Sequence, residues 1–151
     1  NYINQLTNIN PNSKIIHACT DITGFGLLGH LSEMLESTNS YQLKMNLEPL
    51  KISLNLENIP VYDGVKELLV KGFESTLAPS NEIFLKNIDG DANLRFELLS
   101  NNSFSNSAFY NIMLKILIDP QTCGPLVVSC SSLHSEKLIQ QGPWIKIGYI
   151  S

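Results

Sequence analysis

Asp21-Ile22-Thr23-Gly24-Phe25-Gly26-Leu27-Leu28-Gly29-His30 brings a carboxylate, a hydroxyl and several glycines into one short run. Residues of these types can bind anions and cations. A strand end that feeds a glycine turn and a helix N-terminus presents backbone N–H groups lacking intrahelical partners, which suit a phosphate. Gly24 and Gly26 would let that backbone come close, because no Cβ intervenes. A carboxylate at the same turn would repel a bare phosphate. Asp21 therefore makes most sense with a divalent cation between the two, and magnesium takes carboxylate and phosphate oxygens together. The plainer account uses the same residues: Asp21 or Thr23 caps the helix, and the glycines only make the turn. No GxxxxGK[ST] sequence is present, and spacing alone favours the plainer account.

A second polar segment, Asp119-Pro120-Gln121-Thr122-Cys123-Gly124-Pro125, is tightly turned and directly precedes an apolar run. Taken alone it is a helix-to-strand connection with good turn chemistry. The remaining reactive residue types have structural readings. His30 lies at the border of an apolar stripe and reads as a hydrogen-bonded structural histidine. His17 sits in a buried-looking strand and His134 on a late helix, neither beside a nucleophile. Cys19 reads as a buried small hydrophobe. Cys123 has no lysine, arginine or histidine in its own segment to activate it. Trp144 and the scattered Phe and Tyr residues read as core filling rather than a base-stacking platform.

The elements that must position these residues follow from hydrophobic periodicity. Residues 14–19 read as a buried strand and the stretch after the turn, to about Thr38, as a helix. Leu27, Leu28, Leu31, Met34 and Leu35 form its apolar stripe. The alternation over 42–47 predicts a half-exposed strand. Between Pro49 and Pro60 no element is assigned. Val61–Lys71 predicts a helix closed by Gly72 at C′, and a short helix is expected around Glu82–Lys86, before an Asp89-Gly90 turn. Asn93–Ser100 reads as a strand, 101–106 as a polar loop, and Ala108–Leu117 as a helix. Leu126–Cys130 reads as a buried strand, Leu133–Gln141 as a helix, and 144–150 as a final alternating strand. The expected fold is α/β or α+β, with a mixed sheet covered by helices.

Composition narrows the function classes. The chain has 151 residues, of which 43% are hydrophobic and 16% charged, enough for one globular core. No apolar run approaches the roughly 18–20 residues of a membrane span. A net charge of −4 with a single arginine, Arg95, argues against nucleic-acid binding. The three cysteines form no CxxC pair and suggest a reducing, cytoplasmic setting. No basic and apolar leader opens the chain. With no initiator methionine, and with its end directly after a strand, it reads as a piece of a longer polypeptide. Residues 1–14 would be a lead-in and 15–151 the domain.

The segments at 21–30 and 119–124 together resemble the two signature segments of the C-terminal domain of selenophosphate synthetase (selenide, water dikinase). That domain lies in the aminoimidazole ribonucleotide synthetase C-terminal-like superfamily. The order between them is similar too, including an Asn81 after a short turn, and the likeness runs from about Ile15 to Ile150. It implies an α+β fold in three α/β/α layers, partly ferredoxin-like, and a reaction in which ATP, selenide and water give selenophosphate, AMP and phosphate. It also implies that Asp21 is a Mg²⁺ ligand and that Thr23, Gly24 and Gly26 lie near the ATP phosphates. The catalytic residues would belong to an N-terminal ATP-binding domain absent here, so that this piece is inactive alone. The full-length protein would be a homodimer.

The chain departs from the family pattern at two turns. It has Cys123-Gly124-Pro125 where the family has Ser-Gly-Gly, and Leu77-Ala78-Pro79-Ser80 lacks the family's glycines. Pro125 removes one backbone donor. These departures motivate the alternative of a non-catalytic, degenerate or fused module with an assembly or regulatory role. A third reading is another ATP-dependent member of the superfamily acting on a different substrate.

Overall fold

The computed structural model describes residues 16–85, 95–100 and 108–151. The expected lead-in, Lys86, the Asp89-Gly90 turn, the start of the 93–100 strand and the 101–106 loop lie outside them. Strand β1 (Ile16–Asp21) leads into helix α1 (Gly26–Lys44), followed by β2 (Lys51–Asn55) and a 3₁₀ turn at Leu56–Asn58. Helices α2 (Val65–Val70) and α3 (Ala78–Asn81) come next, with a 3₁₀ turn at Glu82–Leu85. Strand β3 (Arg95–Leu99), helix α4 (Ala108–Leu117), β4 (Leu126–Cys130), α5 (Ser132–Gln141) and β5 (Gly148–Ile150) complete the order.

The strands form an antiparallel β1–β4 ribbon and a mixed sheet in the order β3–β2–β5. In the mixed sheet β2 runs parallel to β3 and antiparallel to β5. The mixed α/β class with a mixed sheet thus agrees with expectation. No helix among the described residues is long and apolar enough to cross a membrane.

Leu28, Leu31 and Leu35 of α1 pack on Ile52, Leu54 and Phe96 of the mixed sheet, and Met113 and Leu117 of α4 close the same core. The stripe read from the sequence is thus the buried face. Helix α1 runs six residues beyond Thr38, and the strand expected at 42–47 does not form. Residues 42–44 are the helix's last turn. Asn46 adopts the left-handed conformation (φ 53°) just past its end. The Asn46 N–H bonds to Leu43 O (3.1 Å) and the Leu47 N–H to Gln42 O (2.9 Å), the paired bonds of a Schellman closure. The apolar members of the misleading alternation, Leu43, Met45 and Leu47, are exposed.

The strand lies instead at 51–55, in the stretch left unassigned. Ile52, Ser53 and Leu54 are all buried, as befits a central strand covered on both faces, where alternation disappears. Its register against β3 is pinned by Glu97. The Lys51 ammonium (2.8 Å) and the Ser53 hydroxyl (2.9 Å) both donate to its carboxylate. The Lys51 bond and then the Ser53 bond hold Glu97 below the usual carboxylate range.

The 61–71 helix contracts to 65–70, and Gly72 (φ 83°) closes it as expected. The last strand is shorter than the alternation over 144–150 suggests, and Trp144 is only half-buried, so it is not core. Strands β1 and β4 are likewise not fully buried: His17, Cys19 and Asp21 alternate outward along β1. The ribbon turns one face to the molecule and stands off the mixed sheet across an apolar groove of about 670 Å³. Cys19 is therefore exposed, contrary to its reading as a buried hydrophobe, and all three cysteines are free thiols.

Asn39 joins α1 to the mixed sheet. Its fully buried carboxamide donates to Leu50 O (3.0 Å) and accepts from Leu50 N–H (2.7 Å), fixing the chain just before β2. Asn39→Ala leaves both backbone groups without this partner. It should lower unfolding free energy by about 1–3 kcal/mol in a urea titration, against the roughly 0.5 kcal/mol of a surface change.

Candidate functional site

The two polar segments meet in space. The ladder between β1 and β4 pairs Asp21 with Leu126 and continues one step further, the Ile22 N–H donating to Pro125 O at 3.0 Å. The Gln121 N–H donates to Thr23 O at 3.1 Å. A Cβ at Gly124 would overlap the Ile22 carbonyl, so the second turn can lie against the first only with glycine there. Pro125, whose missing N–H was the suspected defect, contributes through its carbonyl, which the absent donor does not disturb.

Gly26 tightens the same joint. Its φ of +68° is left-handed, and a Cβ would stand 2.7 Å from the Ile118 carbonyl carbon. The space freed by this glycine is thus filled by the chain's own backbone at the end of α4. The glycines at 24, 26 and 29 have the GxGxxG spacing of dinucleotide-binding turns, which reading them as a bare turn leaves out. Such turns belong to parallel βαβ units, whereas β1 pairs antiparallel with β4. Gly29 makes room for Phe25 and Phe84. Of these three glycines, Gly24 alone has open space where a side chain would be.

Helix α1 begins after Phe25 with no side-chain cap and no acidic residue in its first turn. The expected capping by Asp21 or Thr23 is therefore not found. Thr23 is held by His30 instead. The Thr23 N–H donates to His30 Nε2 at 3.1 Å, and the Thr23 hydroxyl lies 2.9 Å from the same nitrogen. A backbone N–H can only donate, so Nε2 is the acceptor and the ring proton sits on Nδ1, which faces Glu33 Oε2 at 3.3 Å. The hydroxyl must then donate to Nε2 as well. With both donors turned to His30, Thr23 has neither left for a phosphate in this arrangement. His30 is buried, with Phe25 tilted against it at 5.8 Å, and Phe84 meets Phe25 edge-on at 5.9 Å. The structural reading of His30 is therefore the observed one.

Asp21 ends β1 with an exposed side chain. Among the described residues no three His, Cys, Asp or Glu side chains gather as a metal cage. Asp21 thus presents a single exposed carboxylate, the kind of ligand that magnesium takes together with waters and phosphate oxygens, and the described residues form no independent metal site. Asp119, which opens the second turn, is a perturbed acid. Partial burial pushes its carboxyl up, against a 2.8 Å bond from Gln121 Nε2. Cys130 is pushed up by burial and Cys123 is exposed on its turn. His134 bonds Ser131 at 2.6 Å and lies outside the joint.

Sequence reasoning placed Asn81 in the right order without its task. Its buried carboxamide donates to Gly24 O (2.8 Å) and Ile118 O (3.0 Å), bridging the two turns. Its polar side chain beside Pro79 was the available signal. Phe84 was missed outright, an aromatic in a stretch with no clear period.

This is a mixed α/β domain whose distinguishing feature is a strand–glycine-turn–helix locked onto a second glycine turn. A family model described as AIR synthase related protein, C-terminal domain, matches residues 2–140. The chain belongs to that family. It is 30% identical over 126 residues to a selenide, water dikinase of Caldanaerobacter subterraneus subsp. tengcongensis, covering 83% of this chain and 29% of that protein. Similar matches are selenide, water dikinases of Treponema denticola (30% over 129 residues, 83% of this chain, 28% of that one) and Campylobacter jejuni (32% over 124 residues, 82% and 28%). The resemblance drawn from the two motifs is thus borne out over most of the chain, which spans under a third of the length of these relatives.

Two outcomes check this geometry. His30→Ala removes the acceptor of the Thr23 N–H and should cost about 1–3 kcal/mol, with faster hydrogen exchange at the Thr23 amide. Unchanged exchange there would contradict the bond. For Asp119 the raised folded pKa favours the protonated form. Its stabilising contribution is full below the ordinary aspartate range and is lost as pH rises through the raised value. Asp119→Asn should therefore match the parent in acid and exceed its denaturation midpoint above that window.

Proposed function

We propose that this chain serves as the C-terminal domain of an ATP-dependent selenophosphate synthetase. The reaction would convert ATP, selenide and water to selenophosphate, AMP and phosphate. The observation that carries this reading is the joint itself: both motifs of the resemblance meet at one place, with Asp21 exposed at its edge. The names of the relatives supply the substrate class. An N-terminal domain would bind most of the nucleotide and hold the catalytic residues, leaving this piece inactive alone. The full protein would be a cytoplasmic homodimer. The three-layer, partly ferredoxin-like arrangement and the 1–14 and 15–151 division are parts of the same reading.

Within the site, Asp21 would give one carboxylate oxygen to Mg²⁺, whose other ligands would come from phosphate oxygens and the partner domain. When bound, the ion would supply neutralisation of phosphate charge. Gly24 would let the backbone approach the phosphates, and the uncapped N-terminus of α1 would face them with its positive end. Thr23 and Gly26 would act from behind, holding the turn in shape.

The test is selenophosphate formation by the intact polypeptide carrying Asp21→Asn. Activity should fall by about 100-fold or more, and the Mg²⁺ requirement should shift upward. Full activity with unaltered Mg²⁺ dependence would remove Asp21 from the site. A protein with no selenide-dependent ATP turnover at all would favour the non-catalytic module.

A further inference from the structure

We propose that Asn81 is a positioning residue for polyphosphate binding, orienting the Gly24–Phe25 peptide so that its N–H faces the anion. This rests on the site reading above and assigns Asn81 a task beyond filling the interior. A primary carboxamide has two N–H donors. Here both are used on backbone carbonyls of different segments, Gly24 at 2.8 Å and Ile118 at 3.0 Å. One buried side chain on α3 therefore sets the spacing between the glycine turn that follows β1 and the turn that follows α4.

The consequence lies on the other edge of the peptide. In a trans peptide the carbonyl and the following N–H point in opposite directions, and no cis bond occurs among the described residues. With the Gly24 carbonyl held against the buried carboxamide, the Phe25 N–H is turned away from the interior. It belongs to the residue that caps α1, at the positive end of the helix. Gly24 has open space where a side chain would stand, so nothing on its own Cα blocks the approach. Thr23, one residue earlier, has its N–H drawn back by His30. Between the Thr23 and Phe25 amides, which flank that of Gly24, the geometry leaves Phe25 to meet an anion. Without Asn81 the Gly24–Phe25 peptide could rotate, since glycine allows it, and the donor would lose its fixed aim.

A purely structural role is separable because the chain contains a matched control. Asn39 is also a buried carboxamide bonded to backbone, on the opposite part of α1. The experiment uses the intact polypeptide and a non-hydrolysable ATP analogue with Mg²⁺, measured by equilibrium binding where every variant is folded. Asn81→Ala and Asn81→Asp should each weaken binding by about tenfold or more, while Asn39→Ala stays within about twofold of the parent. Variants at Asn81 that lose thermal stability as Asn39→Ala does, yet keep parental affinity, would overturn the proposal.

A readout on the unaltered protein stands even where a variant fails to fold. Labelling glycine carbonyl carbon with ¹³C and phenylalanine nitrogen with ¹⁵N marks two Gly–Phe pairs in this chain, 24–25 and 72–73. The Phe25 amide should shift on adding the Mg²⁺-bound analogue and the Phe73 amide should not. A silent Phe25 amide with bound analogue would overturn the proposal. Asp21→Asn distinguishes the layers. If it weakens binding and the Asn81 variants do not, the positioning role alone falls. If Asp21→Asn also leaves binding unchanged, the site reading falls and the proposal with it.

Discussion

Everything at the joint depends on a steric constraint, the close approach of Gly124 to the carbonyl of Ile22. Because no side chain stands between them, the β1–β4 ladder can continue past Asp21 to the Pro125 carbonyl, and Gln121 can reach Thr23 O. Those bonds carry the end of β1 to a fixed place beside the end of α4. There Gly26 meets Ile118 with the same absence of Cβ. Two turns separated by about ninety residues in sequence thus form one rigid object. Asp21 is exposed at its margin because it is the last outward-facing residue of the strand before the joint closes.

The polar groups inside this object are all engaged. His30 takes both donors of Thr23, Asn81 takes two carbonyls, and no buried side-chain polar atom among the described residues lacks a partner. Such satisfaction in a low-dielectric interior makes the network stiff, since a half-made version would strand polar groups at high cost. On the proposed reading, stiffness here has a functional side. A single carboxylate cannot select or hold a magnesium ion, so whatever it contributes must come from being placed well relative to ligands brought by other molecules or domains.

What could be read from the sequence divides along physical lines. The apolar stripe of α1 was legible because a single helix face packs on one core, so periodicity maps directly onto burial. The two motifs were legible as turns, and as kin of a family, because glycine and proline leave local marks. The strand at 51–55 was not, because burial on both faces erases alternation. The alternation at 42–47 misled because exposed apolar side chains at a helix end mimic a strand's pattern; Asn46 was the one local hint of closure. The role of Thr23 was illegible for another reason: His30, seven residues on, competes for its donors, and only the fold reveals which partner wins. Cys19 was misjudged with β1, whose ribbon has one open face.

We propose that the Asp21 carboxylate, held by the joint, reaches a cation on a nucleotide's phosphates. A crystal structure of the intact polypeptide with Mg²⁺ and a non-hydrolysable ATP analogue measures this directly. An Asp21 oxygen should lie in the metal's coordination shell, about 2.0–2.1 Å from the ion. A fully ligated magnesium on the phosphates, with Asp21 facing solvent well outside that shell, would contradict it.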